Sequence, residues 1–153
     1  MSFKNVVVIG GGPIGLMCAI EASKHFKKVS IIEKRPAYTR TNVPVLQDNV
    51  VTHLAKLGVD KKLGIPTNKQ LGKDKRFETV PFAALEEALW DKAEHAGAVM
   101  HRGYVVVGVM GRDRKPDGAF KSMGLTCAEW DDQAKQLKAH GARITLDCDL
   151  PVV

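Results

Sequence analysis

Residues Val6-Val7-Val8-Ile9 run straight into Gly10-Gly11-Gly12-Pro13-Ile14-Gly15. Four β-branched residues meeting a glycine cluster read as a buried strand that stops at a tight turn. Glycines 10, 12 and 15 stand at GxGxxG spacing. In that pattern the first glycine permits the turn, the second lets a pyrophosphate approach the backbone, and the third lets helix and strand pack closely. A helix starting at such a turn presents unpaired N–H groups and the positive end of its dipole to phosphates. The stretch is therefore expected to hold a dinucleotide, with Gly10, Gly12, Pro13, Ile14 and Gly15 against it. The loop alone does not say which dinucleotide.

The residues after Gly15 strengthen the pattern. Leu16 to His25 has helical spacing, with Leu16, Ala19, Ile20, Ala22 and Phe26 apolar. Val29-Ser30-Ile31-Ile32 reads as a second strand ending at Glu33, 23 positions after Gly10. A carboxylate at the tip of that strand is placed to accept hydrogen bonds from ribose hydroxyls. It favours a free 2′-hydroxyl and repels a 2′-phosphate, so FAD or NAD suits the site better than NADP. The fold class expected is α/β: a Rossmann-like FAD/NAD(P)-binding βαβ fold with a parallel sheet and an incomplete second half, in one domain over residues 1–153.

Further along, Lys34 to Asn42 is polar and reads as an ordered loop. Asp48 is expected to cap a helix to Leu57, closed by Gly58 as a left-handed C-cap. Residues 59–80 look like a basic connection. Pro81 opens a helix with Phe82, Leu85, Leu89 and Ala93 on its apolar side and Glu86 and Glu87 in water; Gly97 closes it. Val99–His101, Tyr104–Val109 and Phe120–Leu125 read as strands, with a turn over Asp113–Gly118. Thr126-Cys127-Ala128-Glu129 matches a capping box, and Trp130, Ala134 and Leu137 recur at i, i+4 and i+7, so a helix is expected from there to Gly141. Arg143–Cys148 is a strand, followed by an apolar ending at Val152-Val153.

Charge is uneven: residues 24–76 hold 13 Lys/Arg against 4 Asp/Glu, within a net charge of +6. Such an excess reads either as a field that attracts a polyphosphate cofactor or anionic substrate or as a solvated lysine-rich face; it lacks the interleaved aromatics of a nucleic-acid surface, so nucleic acid is not the expected partner. No apolar run is long enough to span a bilayer. Three cysteines, Cys18, Cys127 and Cys148, are odd in number and far apart, which suits free thiols and a cytoplasmic location. The five histidines show no metal spacing, and His95 and His140 are expected near helix C-termini. Trp90 and Trp130 read as packing residues.

Taken together, the glycine motif, Glu33-Lys34-Arg35 and Arg40-Thr41-Asn42-Val43 resemble the FAD-binding start of the flavin-dependent aromatic hydroxylases. The chain is most similar to the monooxygenase domain of the MICAL proteins, over roughly residues 5–110 by order of motifs. The resemblance implies FAD as cofactor, with a reduced nicotinamide, NAD(P)H, as a transient reductant. It implies that Glu33 binds the adenosine ribose, that Lys34 and Arg35 lie beside it, that Arg40 reaches the pyrophosphate, and that Asn42 supports the flavin side. Thr41 departs from that family's asparagine, which leaves the fine contacts there open. The family's later Gly-Asp motif and substrate domain lie outside these residues, and the ending resembles the strand just before that motif.

The expectation is the FAD-binding N-terminal portion of an NAD(P)H-dependent flavoprotein monooxygenase, poorly active in isolation, with no catalytic acid or base to name and no metal. Two alternatives stand beside it. One is a non-catalytic dinucleotide-binding module that is completed by a partner chain, or is a homo-oligomer, through its C-terminal strand. The other is an NAD-dependent dehydrogenase half.

Overall fold

Unbroken burial along Val6, Val7 and Val8 has a simple cause: the strand they form is covered on both faces, as parallel strands are. The computed structural model describes residues 4–65, 77–114 and 120–152. In chain order the elements are β1 (Asn5–Ile9), α1 (Pro13–Ala22), β2 (Lys28–Glu33), β3 (Val45–Gln47), α2 (Asp48–Leu57), β4 (Phe77–Thr79), α3 (Phe82–His95), β5 (Val99–Arg102), β6 (Tyr104–Arg114), β7 (Phe120–Asp131), β8 (Gln136–Leu137), β9 (Arg143–Cys148) and β10 (Leu150–Val152). They fall into two compact units, Met1–Ala37 with Ala93–Val153, and Tyr38–Lys92.

The first unit holds a parallel sheet in the order β10-β1-β2-β5. The chain runs across the sheet from β1 out to β2 and β5, then returns to β10 on the other side of β1. The order therefore reverses between β1 and β10, and open α/β sheets bind ligands at the carboxyl ends of strands at such a point. The glycine turn sits at the carboxyl end of β1. This is the expected parallel α/β arrangement.

The two faces of the sheet are covered differently. Gly15, Leu16, Ala19 and Ile20 of α1 lie over the face that carries Val8, and Leu16 and Ala19 are fully buried. On the opposite face Val7 and Ile32 pack with Leu125, Cys127 and Cys148 of β7 and β9, ringed by Ile9, Tyr104, Val106, Met123, Ile144 and Leu146. Successive residues of a strand point to opposite faces, which sorts Val7 from Val8. Asp149 ties the return strand down: its Oδ2 accepts the Lys4 and Asn5 N–H groups at 2.7 and 2.9 Å, and its own N–H donates to the Asn5 carbonyl at 2.9 Å. Those N–H groups hold the Asp149 carboxyl below the usual aspartate range.

The connection from β5 back to β10 corrects the expectation for residues 126–141. No helix forms there. β7 runs to Asp131, pairs antiparallel with β6 along one edge and with β9 along the other, and gives way to a turn and the short β8. The capping-box match and the i, i+4, i+7 spacing are local signals worth a few tenths of a kcal/mol per residue. Two antiparallel ladders and the full burial of Leu125 and Cys127, two residues apart, outweigh them. His140 consequently lies in a turn and not at a helix end, whereas His95 is the last residue of α3.

Smaller differences have equally local causes. α1 begins at Pro13, which suits a first helical position, and stops at Ala22 and not at His25. Gln47, not Asp48, occupies the N-cap of α2; Asp48 lies in the first turn, where its charge meets the dipole. Gly58 is the left-handed C-cap at φ 72°. Of the expected basic connection, residues 66–76 lie outside the described residues, as do 115–119 of the expected 113–118 turn.

In the second unit β3 and β4 pair antiparallel. Val51, Leu54 and Leu57 of α2 and Leu85, Ala88 and Leu89 of α3 are buried. Trp90 is buried edge-to-face against Tyr38, ring centroids 5.9 Å apart. Glu86 corrects the expectation of a solvated helix surface: it is fully buried.

Gly15 has no room for a side chain. A Cβ there would lie 2.0 Å from the Gly10 carbonyl oxygen, backbone that has no room to move. Gly15→Ala is expected to cost about 3 kcal/mol, read as a loss in urea-melt stability, with no rescue by ligand.

Candidate functional site

Everything at the carboxyl end of β1 is organised by backbone contacts. Gly10 takes φ +106°, a conformation glycine adopts without strain, and donates its N–H to the Ile32 carbonyl at 2.8 Å. Gly11 N–H donates to Glu33 Oε2 at 2.8 Å. Gly12 is the N-cap of α1 in extended conformation, and its carbonyl accepts the Leu16 N–H at 2.9 Å. Among the described residues no side chain caps α1. A Cβ built on Gly12 meets nothing within 4 Å. The loop thus offers open space directly over uncapped helix N–H groups, which is the shape and charge a phosphate requires. Ile14 sits in the first turn of that helix and is 75% exposed.

Glu33 ends β2, where β5 places Arg102 opposite it in register. The carboxylate is buried and carries four hydrogen bonds. Oε1 accepts the Arg35 N–H (2.9 Å) and Nε (2.8 Å); Oε2 accepts the Gly11 N–H (2.8 Å) and Arg35 Nη2 (3.1 Å). Burial alone would raise its pKa. The Arg35 guanidinium and N–H, together with Gly11 N–H, more than offset this and hold the carboxyl below the ordinary glutamate range. A carboxylate accepts about four hydrogen bonds, so any further donor to Glu33 would have to take a place that Arg35 or Gly11 now fills.

The structure therefore brings Gly10, Gly11, Gly12, Gly15, Glu33 and Arg35 into one connected group. Lys34 is not part of it: its ammonium lies 5.3 Å from the centroid of the Trp130 ring. Trp130, expected only to pack, also lines a cavity of ≈350 Å³ with Pro36, Arg102, Tyr104, Glu129 and Asp132. Apart from Pro36, which follows β2, these residues come from β5, β6 and β7 and their flanks; no local pattern marks them, because residues far apart in the chain assemble there.

Arg40, Thr41 and Asn42 belong to the second unit and are exposed. Arg40 stacks on Phe82, 5.1 Å from the ring centroid, with Nη1 3.7 Å from Glu86 Oε1. The Asn42 carbonyl accepts the Phe82 N–H at 2.8 Å. Among the described residues no group of three His, Cys, Asp or Glu side chains is placed to hold a metal ion. Nor does any helix among them have the length and apolarity to cross a membrane.

A family model, Pyridine nucleotide-disulphide oxidoreductase, matches residues 1–139. The chain belongs to this family. Drosophila melanogaster [F-actin]-monooxygenase Mical is 49% identical over 59 residues, 39% of this chain and 1% of that protein. OxyS anhydrotetracycline hydroxylase from Streptomyces rimosus superposes with a TM-score of 0.71 at 18% identity, over 99% of this chain and 31% of that one. Aklavinone-11 hydroxylase, solved with FAD and aklavinone, does so with 0.68 at 14% identity, over 97% and 32%. This member of the family spans about a third of each hydroxylase, whose likeness establishes the fold. Together the matches confirm the α/β dinucleotide-binding architecture and the resemblance to flavin-dependent monooxygenases.

Two outcomes test the group. Gly12→Ala is expected to keep the melting temperature and to lose dinucleotide binding, since its Cβ fills only the open space over the helix start. Glu33 stabilises the fold above the pKa it has when unfolded, and that contribution is lost as pH falls through its depressed folded value. Wild-type stability should therefore decline on acidification below about pH 4, and Glu33→Gln should flatten that decline in a pH series of thermal melts.

Proposed function

We propose that this chain is the FAD-binding portion of an NAD(P)H-dependent flavoprotein monooxygenase. The observation that carries the reading is the open, uncapped glycine turn joined to a buried strand-end carboxylate by a direct Gly11–Glu33 hydrogen bond. FAD is the cofactor that the family and the hydroxylase neighbours support.

Each residue has a role that follows from its position. Gly10 turns the chain, Gly12 leaves room for the pyrophosphate, and the start of α1 at Pro13, Ile14 and Gly15 faces it with N–H groups. Glu33 accepts from the adenosine ribose, with Arg35 releasing one or more of its hydrogen bonds to make way. Arg40 meets the negative phosphates as a fork of donors, and Thr41 and Asn42 line the loop beside it. Bound flavin supplies the redox chemistry, reduction by a nicotinamide and oxygen insertion into a substrate. The protein contributes binding, orientation and electrostatics.

The MICAL-type relative, named for F-actin, and the hydroxylase neighbours suggest a whole protein that oxidises a protein or small-molecule substrate. Titration with FAD, followed by flavin fluorescence, tests the reading. The wild type should bind FAD in preference to NAD and NADP, and Glu33→Ala should bind it about tenfold more weakly, the scale of a charge-assisted hydrogen bond. Equal FAD affinity in the two proteins would remove Glu33 from the ribose site. Preference for NAD would replace the flavoprotein reading with a dehydrogenase one.

A further inference from the structure

The acceptor places of the Glu33 carboxylate are filled from three sources: the Gly11 N–H, the Arg35 N–H and the Arg35 guanidinium. The guanidinium takes one place on each oxygen, Nε on Oε1 at 2.8 Å and Nη2 on Oε2 at 3.1 Å. The pair is close and nearly dry, with 5% of the Glu33 side chain and 15% of the Arg35 side chain exposed. Its donors differ in how readily they leave. Gly11 N–H is built into the turn that starts α1, and the Arg35 N–H belongs to the backbone just after β2. The guanidinium ends a side chain with several rotatable bonds, so it is the donor that can swing away while the backbone stays. A fork of two N–H groups and two adjacent ribose hydroxyls offer a carboxylate the same thing, one donor to each oxygen. The two therefore compete for the same places.

We propose that Arg35 is a latch on the ribose site: its guanidinium holds the two places on Glu33 that a ribose diol must take over, and binding opens the contact. The proposal rests on the reading above that Glu33 receives the adenosine ribose. Gly11, Glu33 and Arg35 all belong to the same unit of the chain. The latch lowers apparent affinity, because a ribose is accepted only by the fraction of molecules in which the guanidinium has moved off. In exchange, a carboxylate that is costly to bury alone keeps donors and a cation beside it until hydroxyls replace them.

The test compares wild type with Arg35→Met, which keeps an unbranched stem and removes both side-chain donors. The full chain is titrated calorimetrically with ADP and with 2′,3′-dideoxy-ADP, and by flavin fluorescence with FAD. Arg35→Met should bind ADP and FAD about tenfold more tightly than wild type, and 2′,3′-dideoxy-ADP, which lacks the hydroxyls, no more tightly. An Arg35 that touches the nucleotide directly, or only keeps the loop in shape, would instead make Arg35→Met bind ADP more weakly. That result, an unchanged ADP affinity, or an equal gain for the dideoxy compound overturns the proposal. If Arg35→Met does not fold by circular dichroism, Arg35→Lys, which keeps the charge and gives up the fork, takes its place, with a smaller gain of the same sign. FAD bound by neither protein while ADP shows the gain overturns the flavoprotein reading and leaves the latch standing. ADP bound by neither protein removes the ribose site, and the proposal with it.

Discussion

The contact between Gly15 and the Gly10 carbonyl is the constraint from which the rest of the first unit follows. With a Cβ at Gly15 excluded by a 2.0 Å approach, the start of α1 lies directly on the end of β1. That closeness aims the helix N-terminus along the carboxyl edge of the sheet. The Gly10 N–H to Ile32 carbonyl bond then couples the turn to β2, and the Gly11 N–H reaches Glu33. One tight turn thus sets three elements and two hydrogen bonds, and it stands where the strand order reverses. Ligand geometry and fold geometry share the same backbone atoms, which is why a substitution at Gly15 and one at Gly12 have such different meanings.

Charge is managed in both units by the same device, a buried glutamate with an arginine. Glu33 is held in a close, bidentate arrangement with additional backbone donors. Glu86 is held more loosely, by a half-exposed Arg40. Buried carboxylates are expensive to desolvate, and such pairs are weak contributors to net stability. Their value lies in direction. Each pair fixes the orientation of its charged groups within its own unit.

The antiparallel β6, β7 and β9 segment changes how the parallel sheet is closed. A helix is the usual crossover between parallel strands. Here strands cover the sheet face instead, and Leu125, Cys127 and Cys148 fill the space over Val7 and Ile32. Both thiols have their pKa pushed up, by burial first and, for Cys148, by its aspartate neighbours. They behave as small apolar residues of the core. The same segment brings Trp130 near Lys34 and builds the cavity beside Arg102.

Much of the site was legible from the sequence because its causes are local. A β-branched run, three glycines at fixed spacing, a proline at a helix start and a carboxylate 23 residues on need only a few neighbouring positions to act, and β1, α1, β2 and Glu33 lie where those signals put them. Gly58 likewise ends α2 through its own φ angle. What the tertiary structure decided depends on partners far away in the chain. Residues 126–141 carry a helix signal, yet two strands flank them and the ladders win. Glu86 has the sequence surroundings of a solvated helix residue, but the packing of its unit places it inside with Arg40. Glu33 was readable as an acceptor; that Arg35 already occupies it was not, because side-chain competition for a carboxylate is settled only when both groups are held in place. Local periodicity and glycine stereochemistry determine the elements, and burial, which is a property of the assembled chain, determines their use.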